Sequence, residues 1–312
     1  MKKVLFFLLA AAAMVGCSNE EVVELNKKEI AFGEAFVENA TRADYSTDKS
    51  VTAFKVYGTV EPTAGGSATQ IYNGANVTGT VYNTAWNCDV TQYWLPKSTY
   101  HFAAIVDGEA AATTALPVTI PFTLTTGDED LLYATADETT DEAATPTTST
   151  LVAFTFEHLL AKLQFTIENG TAPADKYSYD VTGVAVTGIV NKGVYTVAGD
   201  SWAKAGDATT IGLTFGETDN AATGVAGGAT EVTSVTHQIL PVEQELVVTI
   251  TYNTYLNGTL VAEGMTLGGT ITSRTYEANT VYNVKATITG TAISFTVGTI
   301  GGWASAGGDI TI

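Results

Sequence analysis

Two residues near the N-terminus have the chemistry and surroundings of sites that other proteins act upon. Cys17 closes Met14-Val15-Gly16-Cys17, after the cations Lys2 and Lys3 and the apolar run Val4–Val15. That run is too short to span a bilayer and suits the hydrophobic region of a signal peptide. Small residues before a cysteine form a lipobox: a lipoprotein signal peptidase cuts there and the thiol carries a diacylglycerol. Met14 stands where leucine is usual. Residues 1–17 thus read as a lipoprotein signal peptide with Cys17 as the lipidation site. Arg42 is the second residue. Arginine occurs only at Arg42 and Arg274, and Arg42 lies in the polar junction Thr41-Arg42-Ala43-Asp44. Such a junction offers an accessible bond to a trypsin-like protease. On the local sequence alone, a surface arginine in a loop is the simpler reading.

Residues that could do catalysis are sparse and scattered. His101, His158 and His237 are far apart, each inside a segment patterned as a strand, which favours structural histidines over a metal or catalytic cluster. The acidic groups Gly127-Asp128-Glu129-Asp130 and Asp137–Asp141 lack the ligand spacing and central glycine of a calcium loop and read as solvated. With Cys17 lipidated, Cys88 has no partner in the chain and reads as a small buried apolar residue. No nucleophile elbow, zinc-protease, phosphate-loop or dinucleotide motif occurs. The expectation is a protein that is not an enzyme, with no catalytic residues, cofactor or metal.

The elements behind these positions are strands. Thr, Val, Gly and Tyr are abundant, while helix-favouring Leu, Glu and Lys are sparse beyond the first thirty residues. The most informative stretch is Leu151–Ile167. Val152, Phe154 and Phe156 alternate on even positions, then Leu159, Ala161, Leu163, Phe165 and Ile167 on odd ones. Strict period two marks half-buried strands, and the phase flip at Glu157–Leu160 demands a bulge or corner. Upstream lies the acidic, Thr-rich Asp137–Thr150, read as a linker. A chain of 312 residues suggests about two domains. The boundaries expected are 43–148 for an N-terminal β-sandwich and 149–312 for a C-terminal one, preceded by 18–42.

Within the first domain, Lys28–Arg42 reads as a strand with Ile30, Phe32 and Phe36 on one parity. Val51–Val60 and Tyr100–Val106 are further strands, and Gly65-Gly66-Ser67 and Asn73-Gly74 mark turns, the latter a hairpin. The second domain continues through strands near Tyr179–Val190, Gly193–Val197, Ile211–Phe215, Val232–Leu240, Glu245–Tyr252 and Thr280–Ile288. An Asn257-Gly258 turn and a glycine-rich connection separate the last two. The final segment, about 292–312, carries Ile293, Phe295 and Val297 on one face. The net charge of −19, from 33 acidic and 14 basic residues, argues against nucleic acid and anionic membrane surfaces as partners.

With these residues assembled, the chain resembles the fimbrillin family, the type V pilins of Bacteroidales. The likeness runs along nearly the whole length. It is carried by the lipobox at Cys17, Thr41-Arg42-Ala43, Phe54-Lys55-Val56-Tyr57-Gly58 and Tyr93-Trp94. Further points are Tyr100-His101-Phe102-Ala103-Ala104, Asp130-Leu131-Leu132-Tyr133-Ala134, Phe156-Glu157-His158-Leu159-Leu160-Ala161-Lys162-Leu163, and Ile239-Leu240-Pro241. Ser18-Asn19-Glu20-Glu21 resembles the acidic tether of surface-exported lipoproteins in Bacteroidetes. The resemblance implies an all-β fold of two transthyretin-like β-sandwiches, held at the outer membrane through the lipid. It implies cleavage between Arg42 and Ala43 by an arginine-specific protease, removing the tether and first strand. A C-terminal donor strand from another pilus subunit, with Ile293, Phe295 and Val297 as its apolar face, would fill the resulting groove and build a fimbrium. The fibre's target would be a host or bacterial surface receptor. The alternatives are a tip or accessory subunit, and a monomeric glycan-binding surface lipoprotein using its aromatic residues.

Overall fold

The computed structural model describes residues 28–37, 51–79, 84–110, 115–147, 149–172, 175–218, 224–290 and 292–302. The signal peptide and the sites at Cys17, Arg42 and Ala43 lie outside the described residues. The fold is all-β, as expected, and helix among the described residues is confined to short 3-10 turns such as Val197–Gly199.

The first half contributes β1 (Ala31–Val37), β2 (Ala53–Pro62), β3 (Thr69–Thr78) and β4 (Asn87–Cys88). It continues with β5 (Ser98–Val106), β6 (Thr119–Thr123), β7 (Leu132–Thr139) and β8 (Leu151–His158). The second half begins with β9 (Ala161–Asn169), β10 (Tyr177–Val190), β11 (Lys192–Thr196), β12 (Ser201–Lys204) and β13 (Thr210–Thr214). Short strands β14 (Val225–Ala226), β15 (Thr230–Val232) and β16 (His237–Ile239) follow. The long β17 (Glu243–Leu256), β18 (Thr259–Thr275), β19 (Thr280–Thr289) and β20 (Ala292–Gly302) complete the chain.

Two bodies result. In the first, a seven-stranded sheet in the order β1-β8-β7-β5-β2-β3-β4 curls around an aromatic core. In the second, the sheet β13-β10-β17-β18 faces the sheet β15-β9-β19-β20 across a core of mixed aliphatic and aromatic side chains. The phase flip is the passage between them. Val152, Phe154 and Phe156 of β8 fill the first core, whereas Ala161, Leu163, Phe165 and Ile167 of β9 fill the second. Leu159 and Leu160, both buried, are the residues at which the strand changes bodies. The passage therefore falls ten residues beyond the boundary expected at 148/149, because β8 pairs with β7 and β1. Asp137–Thr150 is accordingly no linker. Asp137–Thr139 ends β7, and the Asp141 carboxylate accepts N–H bonds from Ala143 and Thr145 at 2.8 Å each, which holds the turn.

A small third sheet, β12-β11-β6, takes β6 from the first half and the other two strands from the second. Trp202 on β12 donates its indole N–H to the Leu159 carbonyl at 2.8 Å. The connection between bodies is thus a hydrogen-bonded sheet.

Two turn expectations part company. Asn257-Gly258 does form the tight turn joining β17 to β18, both residues having positive φ. Asn73-Gly74 instead lies inside β3, where Gly74 at φ +75° forms a bulge opposite Val56–Tyr57. Positive φ serves a bulge as well as a hairpin, and here β2 continues past it. The expected glycine-rich connection is the strand β18 itself.

Candidate functional site

The position of β1 is the feature on which a functional reading turns. Its alternation buries Ile30 and Phe32, then the register shifts at Gly33–Glu34 and Ala35 and Val37 are buried instead. The inward residues therefore stand at 30, 32, 35 and 37. Phe32 is 0% exposed, and its ring meets those of Tyr72, Phe102, Phe154 and Phe54 at centroid distances of 5.3, 5.7, 6.2 and 6.4 Å. Burial pushes the Tyr72 phenol well up from its ordinary value, and its hydroxyl has no hydrogen-bond partner. The slot is dry.

Both edges of β1 are paired. One edge runs parallel to β8, with Ala31 opposite Leu151 and Val37 opposite Phe156. On the other edge Ile30 donates to the Gln92 carbonyl and Trp94 to that of Lys28, both at 2.9 Å. Trp86 donates to the Phe32 carbonyl at 2.8 Å. β1 is thus a central strand in its hydrogen bonding, wedged between β8 and the segment 86–94. Lifting it out leaves an apolar groove with two unpaired walls. Parallel neighbours need a long connection, and β2–β7 lie between β1 and β8 in the chain. Residues 38–50, which precede β2 and include the candidate junction at Arg42, lie outside the described residues.

The segment expected to act as a donor sits elsewhere, as β20 on its own body. Ile293, Phe295 and Val297 pair with Ile288, Ala286 and Val284 of β19. They are partly buried against the second core. β20 has a ladder on one side only, being the last strand of its sheet. The Phe295 ring lies against Gly269 of β18, where an added Cβ would stand 2.7 Å from it. Groove and β20 are not brought together within one chain.

Two of the three histidines are hydrogen-bonded to aspartate. His101 meets Asp137 at 2.7 Å and His158 meets Asp130 at 2.9 Å. His237 faces Asp128 at 3.2 Å, its other nitrogen 2.8 Å from the Thr214 carbonyl. The acidic group 128–130 is therefore not simply solvated. Glu129 accepts N–H bonds from Thr125, Thr126 and Gly127 at 2.9, 3.0 and 2.9 Å. Burial alone would raise its pKa, but these donors together outweigh that and hold the carboxyl below its usual value. Cys88 is half-buried, and burial pushes its thiol up. Among the described residues no group of three or more His, Cys, Asp or Glu side chains is placed to hold a metal.

Sequence reasoning found the strand β1 but not its second neighbour. The signal lay in Trp86 and Trp94, both buried, whose backbones bracket β1.

Comparison with known proteins follows the same outline. The family profile described as fimbrillin-like matches residues 41–303. A fimbrial protein from Bacteroides vulgatus superposes with a TM-score of 0.57 at 19% identity, covering 88% of this chain and 99% of that one. A candidate cell adhesion protein from Bacteroides ovatus gives 0.54 at 15% identity, covering 89% and 98%. Identities this low speak for the fold alone. No curated protein matches the chain.

Proposed function

The chain belongs to the fimbrillin-like family, and from that premise we propose that it is a subunit of a surface fibre, a stalk pilin assembled by strand replacement. It is exported as a lipoprotein through Cys17 and held at the outer membrane. An arginine-specific protease cuts between Arg42 and Ala43, β1 leaves, and the β20 segment of a second copy enters the vacated slot.

One observation carries this reading: β1 is hydrogen-bonded on both edges with Ile30, Phe32, Ala35 and Val37 buried, while β20 is an edge strand whose Ile293, Phe295 and Val297 are only partly buried. A strand moved from the second situation to the first gains a ladder and buries the rest of its apolar face. Each added backbone bond contributes a net ~0.5–1.5 kcal/mol. Fully burying an Ile, Phe or Val side chain contributes ~1.5–3 kcal/mol over leaving it exposed. The residues match in part: Ile30 and Phe32 have the spacing of Ile293 and Phe295, whereas Val297 falls opposite Glu34. The register departs at Gly33, opposite Thr296, because a Cβ at position 33 would stand 2.7 Å from the Thr84 carbonyl. The wall near Thr84 must yield by some tenths of an ångström for Thr296 to enter.

Direction agrees as well. β1 begins at the end of the first body remote from the junction and runs toward it, since Val37 pairs with Phe156, two residues before His158. The β19–β20 turn lies at the remote end of the second body, where Gly290 bonds Tyr179 and Tyr252. A tail released from that turn reaches the next copy end-on and runs along β8 in the direction of β1.

The test is the N-terminus of material sheared from cells. It should begin at Ala43 and lack lipid. Arg42→Ala should leave a lipid-bearing, unpolymerised precursor, and Cys17→Ala should abolish palmitate incorporation. Fibres built from Arg42→Ala subunits, or lipid retained on the polymer, would refute the scheme.

A further inference from the structure

We propose that Asn257 is a site of spontaneous covalent modification, the one Asn-Gly pair of three at which the fold leaves room for deamidation. The reaction needs no enzyme and does not depend on how the chain assembles. The backbone nitrogen of the following residue attacks the asparagine Cγ and closes a five-membered imide. The side-chain nitrogen leaves as ammonia, taking the proton that the backbone nitrogen gives up. Water then adds to either imide carbonyl and breaks that C–N bond. The product is aspartate or, with the main chain rerouted through the side chain, isoaspartate. A following glycine favours closure because no side chain hinders the attacking nitrogen. Asn73-Gly74, Asn169-Gly170 and Asn257-Gly258 meet that condition equally in sequence. The fold separates them.

Closure turns the asparagine ψ until the nitrogen reaches Cγ, so main chain and side-chain amide must both be free to move. Asn169 is held at both. It is buried, its amide nitrogen donates to the Tyr177 and Val225 carbonyls at 2.9 Å each, and its Oδ1 accepts from the Thr171 N–H at 2.9 Å. The attacking group is engaged as well, since the Gly170 N–H donates to the Ile288 carbonyl at 2.9 Å. Asn73 is exposed but stands inside β3, where it pairs with Tyr57 and Ala75 pairs with Val56. Pairing before and after the bulge fixes its ψ, and the Tyr57 hydroxyl lies 3.3 Å from where a Cβ on Gly74 would stand.

Asn257 stands outside both situations. It and Gly258 are exposed, and a Cβ on Gly258 would meet nothing within 4 Å. The tip is held by the Leu256–Thr259 pair and by the bond from the Asn257 N–H to the Lys176 carbonyl at 3.0 Å. Behind it the β17–β18 ladder shifts register between Tyr252 and Thr254, and again between Thr254 and Tyr255. A hairpin end set off from its ladder by bulges opens locally at low cost. The product should also be felt in the turn. Asn257 and Gly258 hold φ of 53° and 77°, as a two-residue turn requires. Isoaspartate adds a methylene to that main chain, and the Leu256–Thr259 pair is then the first part of the ladder to be lost.

The experiment compares the three sites within one molecule. The folded chain is held in mildly alkaline buffer, and tandem mass spectrometry follows conversion of amide to acid at each asparagine. Labelling by an isoaspartyl methyltransferase marks the isomerised product. Asn257 should convert at least about tenfold faster than Asn73 or Asn169, because a factor of ten needs only about 1.4 kcal/mol more local opening at the protected sites. In concentrated urea the three rates should come together, since the bonds that hold Asn73 and Asn169 are then broken. Asn257→Gln should remove the fast conversion from the folded chain. Equal rates in the folded chain, or Asn73 leading, overturn the proposal. A ranking that survives in urea overturns it too, by placing the difference in the flanking residues rather than in the fold.

Discussion

Phe32→Ala in the uncut chain is the perturbation that reads most directly on the slot. The ring is fully buried among four aromatic neighbours within 6.4 Å. Truncating a phenylalanine so placed costs about 3–5 kcal/mol through lost burial and the cavity left behind. Against a typical domain stability of ~5–15 kcal/mol, that is a large share. At urea slopes of ~1–3 kcal/mol per molar, the unfolding midpoint should fall by about 1–5 M. Trp86 and Trp94 make the assay convenient, since their backbones bond β1 directly and their fluorescence should shift to the red as the strand loosens. The same substitution should have no effect on polymer of cut chains, from which Phe32 has gone. A loss under ~1 kcal/mol in the precursor, smaller than any buried phenylalanine truncation should give, would refute the packing argument. An equal loss in precursor and polymer would refute the removal of β1.

Phe295→Asp should leave a folded, cut monomer, because Phe295 is only partly buried on its own body, yet block assembly, because a charge in the dry slot costs several kcal/mol; fibres from such subunits, seen by electron microscopy, would exclude β20 as donor. Arg274 should survive an arginine-specific endopeptidase while the chain is folded, since its guanidinium lies 5.0 and 5.5 Å from the ring centroids of Tyr282 and Tyr276 and its Nε is buried. Mass spectrometry should find the Arg274–Thr275 bond cut only after denaturation, and rapid native cleavage there would contradict the caging. Glu129→Gln should destabilise the chain near neutrality. The Glu129 carboxyl is held below its usual value, so its contribution is present above the ordinary carboxylate pKa and is lost as pH falls through the lowered one. Stability curves of the two proteins should converge on acidification, and a constant gap would count against the loop's hydrogen bonds.

How far the sequence could be read depended on whether a residue's pattern or its partner decided its place. The flip from Phe156 to Leu159 is a local signal with a global cause, the change of core, and it announced the passage between bodies. The acidic run after Asp137 misled, because polarity looks the same in a linker and in a turn organised by Asp141. Asn-Gly permits positive φ wherever it falls. Only the facing strand decides between the bulge at Gly74 and the turn at Gly258. β18 was illegible for a related reason: with its side chains largely exposed it carries no inward period, and its ladder to β17 is what makes it a strand. Ile30 and Phe32 of the site were readable from alternation. The wall at 86–94 was not, since its pairing with β1 is made by backbone groups across more than fifty residues of chain.

Under the proposed scheme, a covalent cut should precede exchange. While β1 is part of the chain, it competes for the slot as an intramolecular ligand, at the effective concentration that its covalent link sets. No free subunit offers its β20 segment at such a level. The β20 segment is moreover occupied on its own body by ten paired residues along β19, so its release must be offset by what it finds elsewhere. Cutting within 38–50 leaves the contacts of β1 in place but makes its loss irreversible by dilution once it dissociates. The exchange is then driven by the difference between one ladder and two. That difference exists only for a strand that starts at an edge, and β20 is such a strand. A cut chain should therefore keep β1 until a donor or dilution removes it, and size-exclusion of freshly cut, undiluted protein should recover residues 28–37 with the body; their immediate loss would place the barrier in the slot itself rather than in the tether.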